Sequence, residues 1–142
     1  MNIREFYNNI NSSLDEVLER VGTEERALKY VRMFKLDPSY SELVAAVEAN
    51  DLTAAFRSIH TLKGVSANLG FSSLYEVSVV LTEILRNYSG QDFATALADV
   101  KEKYKSYKIE TVIDVEASKV IQEEIAKDPG NPTLIDKEIE LN

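Results

Sequence analysis

The sequence predicts an all-α protein, an antiparallel up-and-down four-helix bundle with an additional N-terminal helix. Every well-defined apolar pattern repeats at three and four residues, and none alternates at two over a useful length. Capping signals open several of these patterns, and glycine or asparagine closes them. The connections between patterns are short, which sets consecutive helices antiparallel. With 142 residues, 44% hydrophobic, and only 5 Gly and 3 Pro, the chain has enough apolar content for one core and few helix breakers.

The first stripe is Ile3, Phe6, Ile10, Leu14, Val17, Leu18 and Val21. Ser13 with Glu16 forms a capping box that can restart the helix after the Asn-rich stretch, and Gly22 offers a stop. Thr23 can cap a second helix carrying Leu28, Val31 and Phe34. Asp37-Pro38 reads as a cap and first-turn proline for a third, with Tyr40, Leu43, Val44 and Val47 facing inward. Asp51 can cap a fourth helix that runs to Gly70. Ser73 and Glu76 form another capping box, opening a helix with Leu74, Val77, Leu81, Ile84, Leu85 and Tyr88 and ending at Ser89-Gly90. Phe93, Leu97, Val100, Tyr104 and Tyr107 mark the last long helix. Residues 1–108 therefore read as the bundle and residues 109–142 as an acidic C-terminal extension. The extension's pattern of Val112, Val115, Ile121 and Ile125 stops at DPGNP, and suits a helix packed on the bundle or a linker.

Composition excludes several function classes. There is no Cys, so disulfides, thiolate nucleophiles and thiolate metal sites are ruled out, and the 1 His rules out a multi-histidine zinc site. The net charge of −8 argues against non-specific nucleic-acid binding, which needs clustered cations. Nine acidic and three basic side chains fall in residues 109–142, leaving the first 108 residues at −2. No apolar run is long enough for a signal peptide or a membrane span, so a cytoplasmic protein without membrane attachment is expected. A monomer is expected as well. No glycine-rich ATP loop and no kinase or phosphatase constellation is present, and no cofactor is expected.

The fourth helix carries the chemistry. At about 100° per residue, Lys63 lies about 60° to one side of His60, Gly64 about 40° to the other, and Ala67 almost directly above it. Leu62, Val65 and Leu69 fall on the opposite side, where Ala55 and Ser58 can also pack, so His60 should face water. Phosphoryl transfer between proteins needs an exposed nucleophile that is unprotonated near neutral pH and forms a labile bond, and imidazole meets these demands. Lys63, one turn on, can stabilise the charge spread over the transferred group. Gly64 breaks a local rule, since glycine inside a helix costs about 1 kcal/mol relative to alanine, and the missing side chain leaves room for a partner's backbone. Phe56, about 40° from His60 and one turn earlier, is a candidate apolar contact for that partner.

The run IHTLKGVSANLGFSSL at residues 59–74 resembles the histidine-containing phosphotransfer (HPt) family, whose motif reads roughly His-x-Leu-Lys-Gly followed by Ala-Asn-Leu-Gly. By position, the resemblance makes His60 the phosphorylated residue, Lys63 the phosphate-stabilising cation and Gly64 the clearance beside it. Ala67 and Asn68 fall on the implied partner face, and Asn68 and Gly70 match the end of the motif. The family's four-helix bundle with a preceding helix fits residues 1–108. The implied partners are response-regulator receiver domains and a histidine kinase of a bacterial-type two-component relay, with any Mg²⁺ in the receiver's acidic pocket. The chain would then be a phosphoryl carrier, not a self-sufficient catalyst. Two departures stand out: a Leu-Glu pair usual in the next helix appears here as Leu81-Thr82-Glu83, and the acidic tail lies outside the family pattern. Two other readings remain open, a binding module of the same fold without phosphotransfer, and a domain of a larger hybrid or chemotaxis-type kinase.

Overall fold

A computed structural model describes residues 1–88, 92–109 and 112. Among them are seven α-helices and no strand: α1 (Ile3–Asn9), α2 (Leu14–Val21), α3 (Glu24–Phe34), α4 (Ser39–Glu48), α5 (Leu52–Leu69), α6 (Ser72–Arg86) and α7 (Phe93–Ser106). Helices α4 to α7 form the antiparallel bundle, each packed on the next in chain order. Tyr40 of α4 stacks on Tyr104 of α7, with ring centroids 3.8 Å apart, and brings the first and last bundle helices together. The three short N-terminal helices precede the bundle, and α2 and α3 both touch α5.

Most helix ends follow from local chemistry. Ser13, Thr23 and Asp51 each accept a hydrogen bond from the amide three residues on, so the side chains replace partners that the first turn lacks. Gly22, at φ 94°, closes α2, and Gly70, at φ 69°, closes α5. Asp37 accepts from the Ser39 amide at 2.9 Å, so it acts at the start of α4 although Pro38 occupies the cap position itself.

The first stripe is divided where the sequence offers a restart: Asn11 adopts φ 55° and separates α1 from α2, which Ser13 caps. Elsewhere the structure departs from the sequence reading. The Ser73–Glu76 capping box does not form. Helix α6 starts at Ser72 without a side-chain cap, and Ser73 Oγ lies 2.7 Å from the Tyr107 hydroxyl instead. That hydroxyl accepts from the Leu74 amide at 3.1 Å, so a residue beyond α7 supplies the cap. Tyr88 is not in the core: α6 ends at Arg86, and Tyr88 is exposed at φ 51°. Ser89 and Gly90 lie outside the described residues.

Core positions on α4 to α7 include Leu43, Ala55, Ile59, Leu62, Leu74, Leu81, Leu85, Leu97 and Val100. Tyr40, Val44 and Val47 are half-buried, as are Val65, Val77, Ile84, Phe93 and Tyr104. Beneath the N-terminal helices lies an aromatic cluster centred on Phe71, with ring centroids at 5.9 Å from Phe6, 5.2 Å from Phe34 and 4.8 Å from Tyr107. Fully burying such a ring contributes roughly 1.5–3 kcal/mol, so this cluster ties α1 and α3 to the turn between α5 and α6. Tyr7, fully buried, donates to the Leu69 carbonyl at 2.5 Å. Burial holds its phenol well above the ordinary tyrosine value, so the hydroxyl stays protonated as a donor.

Past α7, Tyr107, Ile109 and Val112 are buried, and Arg32 of α3 donates to the Val112 carbonyl at 3.4 Å. Val115, Ile121 and Ile125, and the choice between helix and linker for the extension, lie outside the described residues. Among those described, no helix is long and apolar enough to cross a membrane.

Candidate phosphotransfer site

Helix α5 is 18 residues long and divides into two faces. Ala55, Ser58, Ile59, Leu62, Ser66 and Leu69 point into the bundle and are buried. On the other side His60, Gly64, Ala67 and Asn68 are exposed, while Phe56 and Lys63 are half-buried. This is the division that the helical wheel predicts, with Ile59 as an additional core contact and Val65 at the edge of the core. The division fixes the direction of His60, because α5 cannot rotate without exposing Ile59 and Leu62 to water.

The surroundings of the imidazole are open on one side and apolar on the other. A Cβ added to Gly64 would meet nothing within 4 Å, so the surface next to His60 is free of this chain's own atoms there. The Phe56 ring lies 5.9 Å from the imidazole, centroid to centroid, tilted by 39°. Arg86, from the end of α6, sets its guanidinium carbon 5.5 Å from the centre of the Phe56 ring. Phe56 is therefore not a bare apolar contact: the same aromatic ring neighbours both the imidazole and a cation. Arg86 Nε also lies 3.4 Å from Glu83 Oε1, and both side chains are about half exposed, so the pair adds little to stability.

Arg86 is the site-neighbouring residue that sequence reasoning passed over. It is 26 positions from His60, and no local pattern links the two; only the packing of α6 against α5 brings them together. The departure at Leu81-Thr82-Glu83 also resolves into separate roles. Leu81 and Thr82 are buried, with the Thr82 hydroxyl donating to the Ser78 carbonyl at 2.6 Å, whereas Glu83 faces solvent and pairs with Arg86.

The C-terminal end of α5 is held from outside the bundle. Arg20 of α2 donates to the Asn68 carbonyl at 3.1 and 3.2 Å and to the Ala67 carbonyl at 3.3 Å. A cation at the carbonyl end of a helix satisfies orphan acceptors and opposes the negative pole of the macrodipole. With Tyr7 on Leu69, the N-terminal helices thus hold three successive carbonyls at the end of the His60 helix. Asn68 contributes its backbone here. Gly70 allows the chain to turn: its φ of 69° suits glycine, and a Cβ there would stand 2.7 Å from Val17 Cγ2.

An exposed imidazole on a rigid helix, with glycine on one side and a ring on the other, suits an in-line encounter with another protein's phosphoryl group. No curated protein and no solved structure matches the chain. A family model described as the Hpt domain does match, over residues 11–125, which includes α2 to α7 and the whole of the His60 helix. The chain therefore belongs to the Hpt domain family, whose members serve phosphotransfer in two-component signalling.

Proposed function

We propose that His60 is the residue that carries the phosphoryl group, taking it from the aspartyl phosphate of a response-regulator receiver domain and delivering it to another receiver aspartate. In the first half, an unprotonated imidazole nitrogen attacks phosphorus, the acyl phosphate P–O bond breaks, and the aspartate leaves as carboxylate. A P–N bond forms while the other ring nitrogen keeps its hydrogen. Delivery is the same step reversed on a second carboxylate. Lys63, one turn away on α5, balances the charge of the phosphoryl oxygens, and Gly64 leaves space for the approaching loop. Phe56, Ala67 and Asn68 belong to the surface on which the receiver sits.

The single observation that carries this reading is the exposure of His60 on the outward face of a helix whose other face is locked into the core. Had the ring been enclosed, no receiver could reach it. The reading assigns donor and acceptor to other proteins.

Profiling against purified receiver domains and ATP-dependent histidine kinase domains tests it. Transfer from phosphorylated receivers, absent in His60→Gln, is the expected result. Regulation of a partner that survives in His60→Gln without any transfer would favour a binding module. Labelling by a kinase domain alone would place the chain directly downstream of a kinase.

A further inference from the structure

On an α-helix the side chains that surround a residue are those three and four positions away on either side. For His60 these are Phe56, Arg57, Lys63 and Gly64. Phe56 and Lys63 fall on one side of the imidazole, Arg57 and Gly64 on the other. Because the Arg86 guanidinium lies over the Phe56 ring, three of these four corners hold or adjoin a cation, and the fourth has no side chain. The chain as a whole carries −8, so positive charge is gathered at this one place.

Two features single out Arg57. It is exposed, and among the described residues its side chain pairs with no carboxylate, whereas Arg4 binds Asp15 and Glu24, and Arg86 binds Glu83. Glu42 and Asp51 line the groove beside it without pairing with it, and Asp51 is engaged as the cap of α5, accepting from the Ala54 amide at 3.0 Å. The second feature is direction. Helical side chains lean toward the N-terminus, over the turn three and four residues earlier. The imidazole does so, with its centroid 5.9 Å from that of the Phe56 ring. Arg57 belongs to the same turn, about 4.5 Å down the axis from His60, while Lys63 leans toward the imidazole from one turn above. We propose that Arg57 is a second phosphoryl-binding cation, holding the group on His60 from the side opposite to Lys63.

This role rests on the function proposed for His60 and deepens it. The ammonium of Lys63 is a point charge, whereas the planar guanidinium of Arg57 can donate two parallel hydrogen bonds to two phosphoryl oxygens. The two cations therefore do different work on the same group, one balancing its charge and the other fixing its orientation. Arg86 stays engaged with Phe56 and Glu83 and contributes a fixed positive charge nearby. The corner at Gly64 stays open, and the group arrives and leaves past it.

The chain has 1 His, so phosphoramidate, a reagent that phosphorylates imidazole, labels His60 without any partner protein. A ring nitrogen attacks phosphorus, the reagent's P–N bond breaks, and ammonia leaves. The ³¹P signal of the phosphohistidine, followed against pH, then reports how readily the phosphorylated ring loses its protons. The charged groups around it are Arg57 and Lys63 of α5 and Glu83 and Arg86 of α6, with Glu42 and Asp51 beyond Arg57. A nearby cation favours the more negative form. In Arg57→Gln the titration midpoint should therefore rise by about 0.5 pH unit, the size of an exposed ion pair, and Arg57→Lys should recover most of the difference. Lys29→Gln, an equal loss of charge at an exposed position on α3, should leave the midpoint where it is. Transfer from a phosphorylated receiver should slow about threefold in Arg57→Gln. An unchanged midpoint in Arg57→Gln would overturn the inference, and slower transfer with an unchanged midpoint would overturn it by giving Arg57 a docking role instead. A raised midpoint in a protein that no receiver phosphorylates would uphold the second cation and defeat only the receiver reading of His60.

Discussion

Alanine at Gly64 and at Gly70 should act in opposite directions. At Gly64, inside α5, a methyl group meets nothing within 4 Å. Gly64→Ala should therefore raise stability by up to about 1 kcal/mol, the ordinary helical preference for alanine, yet slow phosphotransfer because the methyl group stands where the partner approaches. At Gly70 the backbone is at φ 69° and the added carbon would sit 2.7 Å from Val17 Cγ2, so Gly70→Ala should cost about 1–3 kcal/mol. Urea denaturation with a transfer assay on each variant checks both, and unchanged transfer in Gly64→Ala would remove the clearance role. At this scale much was legible in the sequence: the placement of His60, Lys63, Gly64 and Ala67 on one face follows from local helical geometry, with Lys63 half-buried and the other three exposed. Arg86 was not legible, because its position over Phe56 depends on how two helices pack and leaves no mark on residue spacing.

Among the elements, the ones that could be read were those whose ends are fixed by their own residues. Ser13, Thr23, Asp51, Gly22 and Gly70 all act where the sequence places them, since a cap is satisfied within three or four residues. The Ser73–Glu76 box fails because Tyr107, 34 positions away, takes the Ser73 hydroxyl and caps α6 itself. Tertiary contact outweighs a local signal there. Tyr7 is likewise absent from the predicted stripe, although it is fully buried and anchors α1 to the end of α5. Tyr7→Phe keeps the ring and removes the hydroxyl, leaving the Leu69 carbonyl short of a donor. A loss of about 1–3 kcal/mol follows from an unsatisfied buried acceptor. Chemical denaturation measures the loss, and amide exchange at the α5–α6 turn should rise with it. A variant as stable as the parent would show that the aromatic cluster alone holds the N-terminal helices.

For the whole molecule, the bundle and the N-terminal helices have different tasks. Helices α4 to α7 make a rigid core that turns one face of α5 outward, while α1 to α3 hold the end of α5 through Tyr7 and Arg20 and add the apolar surface of α3. The fold class was legible because helical periodicity runs through all of the described bundle. The absence of Cys and the presence of 1 His narrow the chemistry by composition alone, with no need of tertiary contacts. The most direct test is to locate the phosphoryl group itself. After incubation with a phosphorylated receiver, mass spectrometry under conditions that preserve phosphohistidine should find acid-labile phosphate on His60 alone, and none on the His60→Gln variant. Acid-labile phosphate on another residue, or a His60→Gln protein that still accepts the group, would contradict the account.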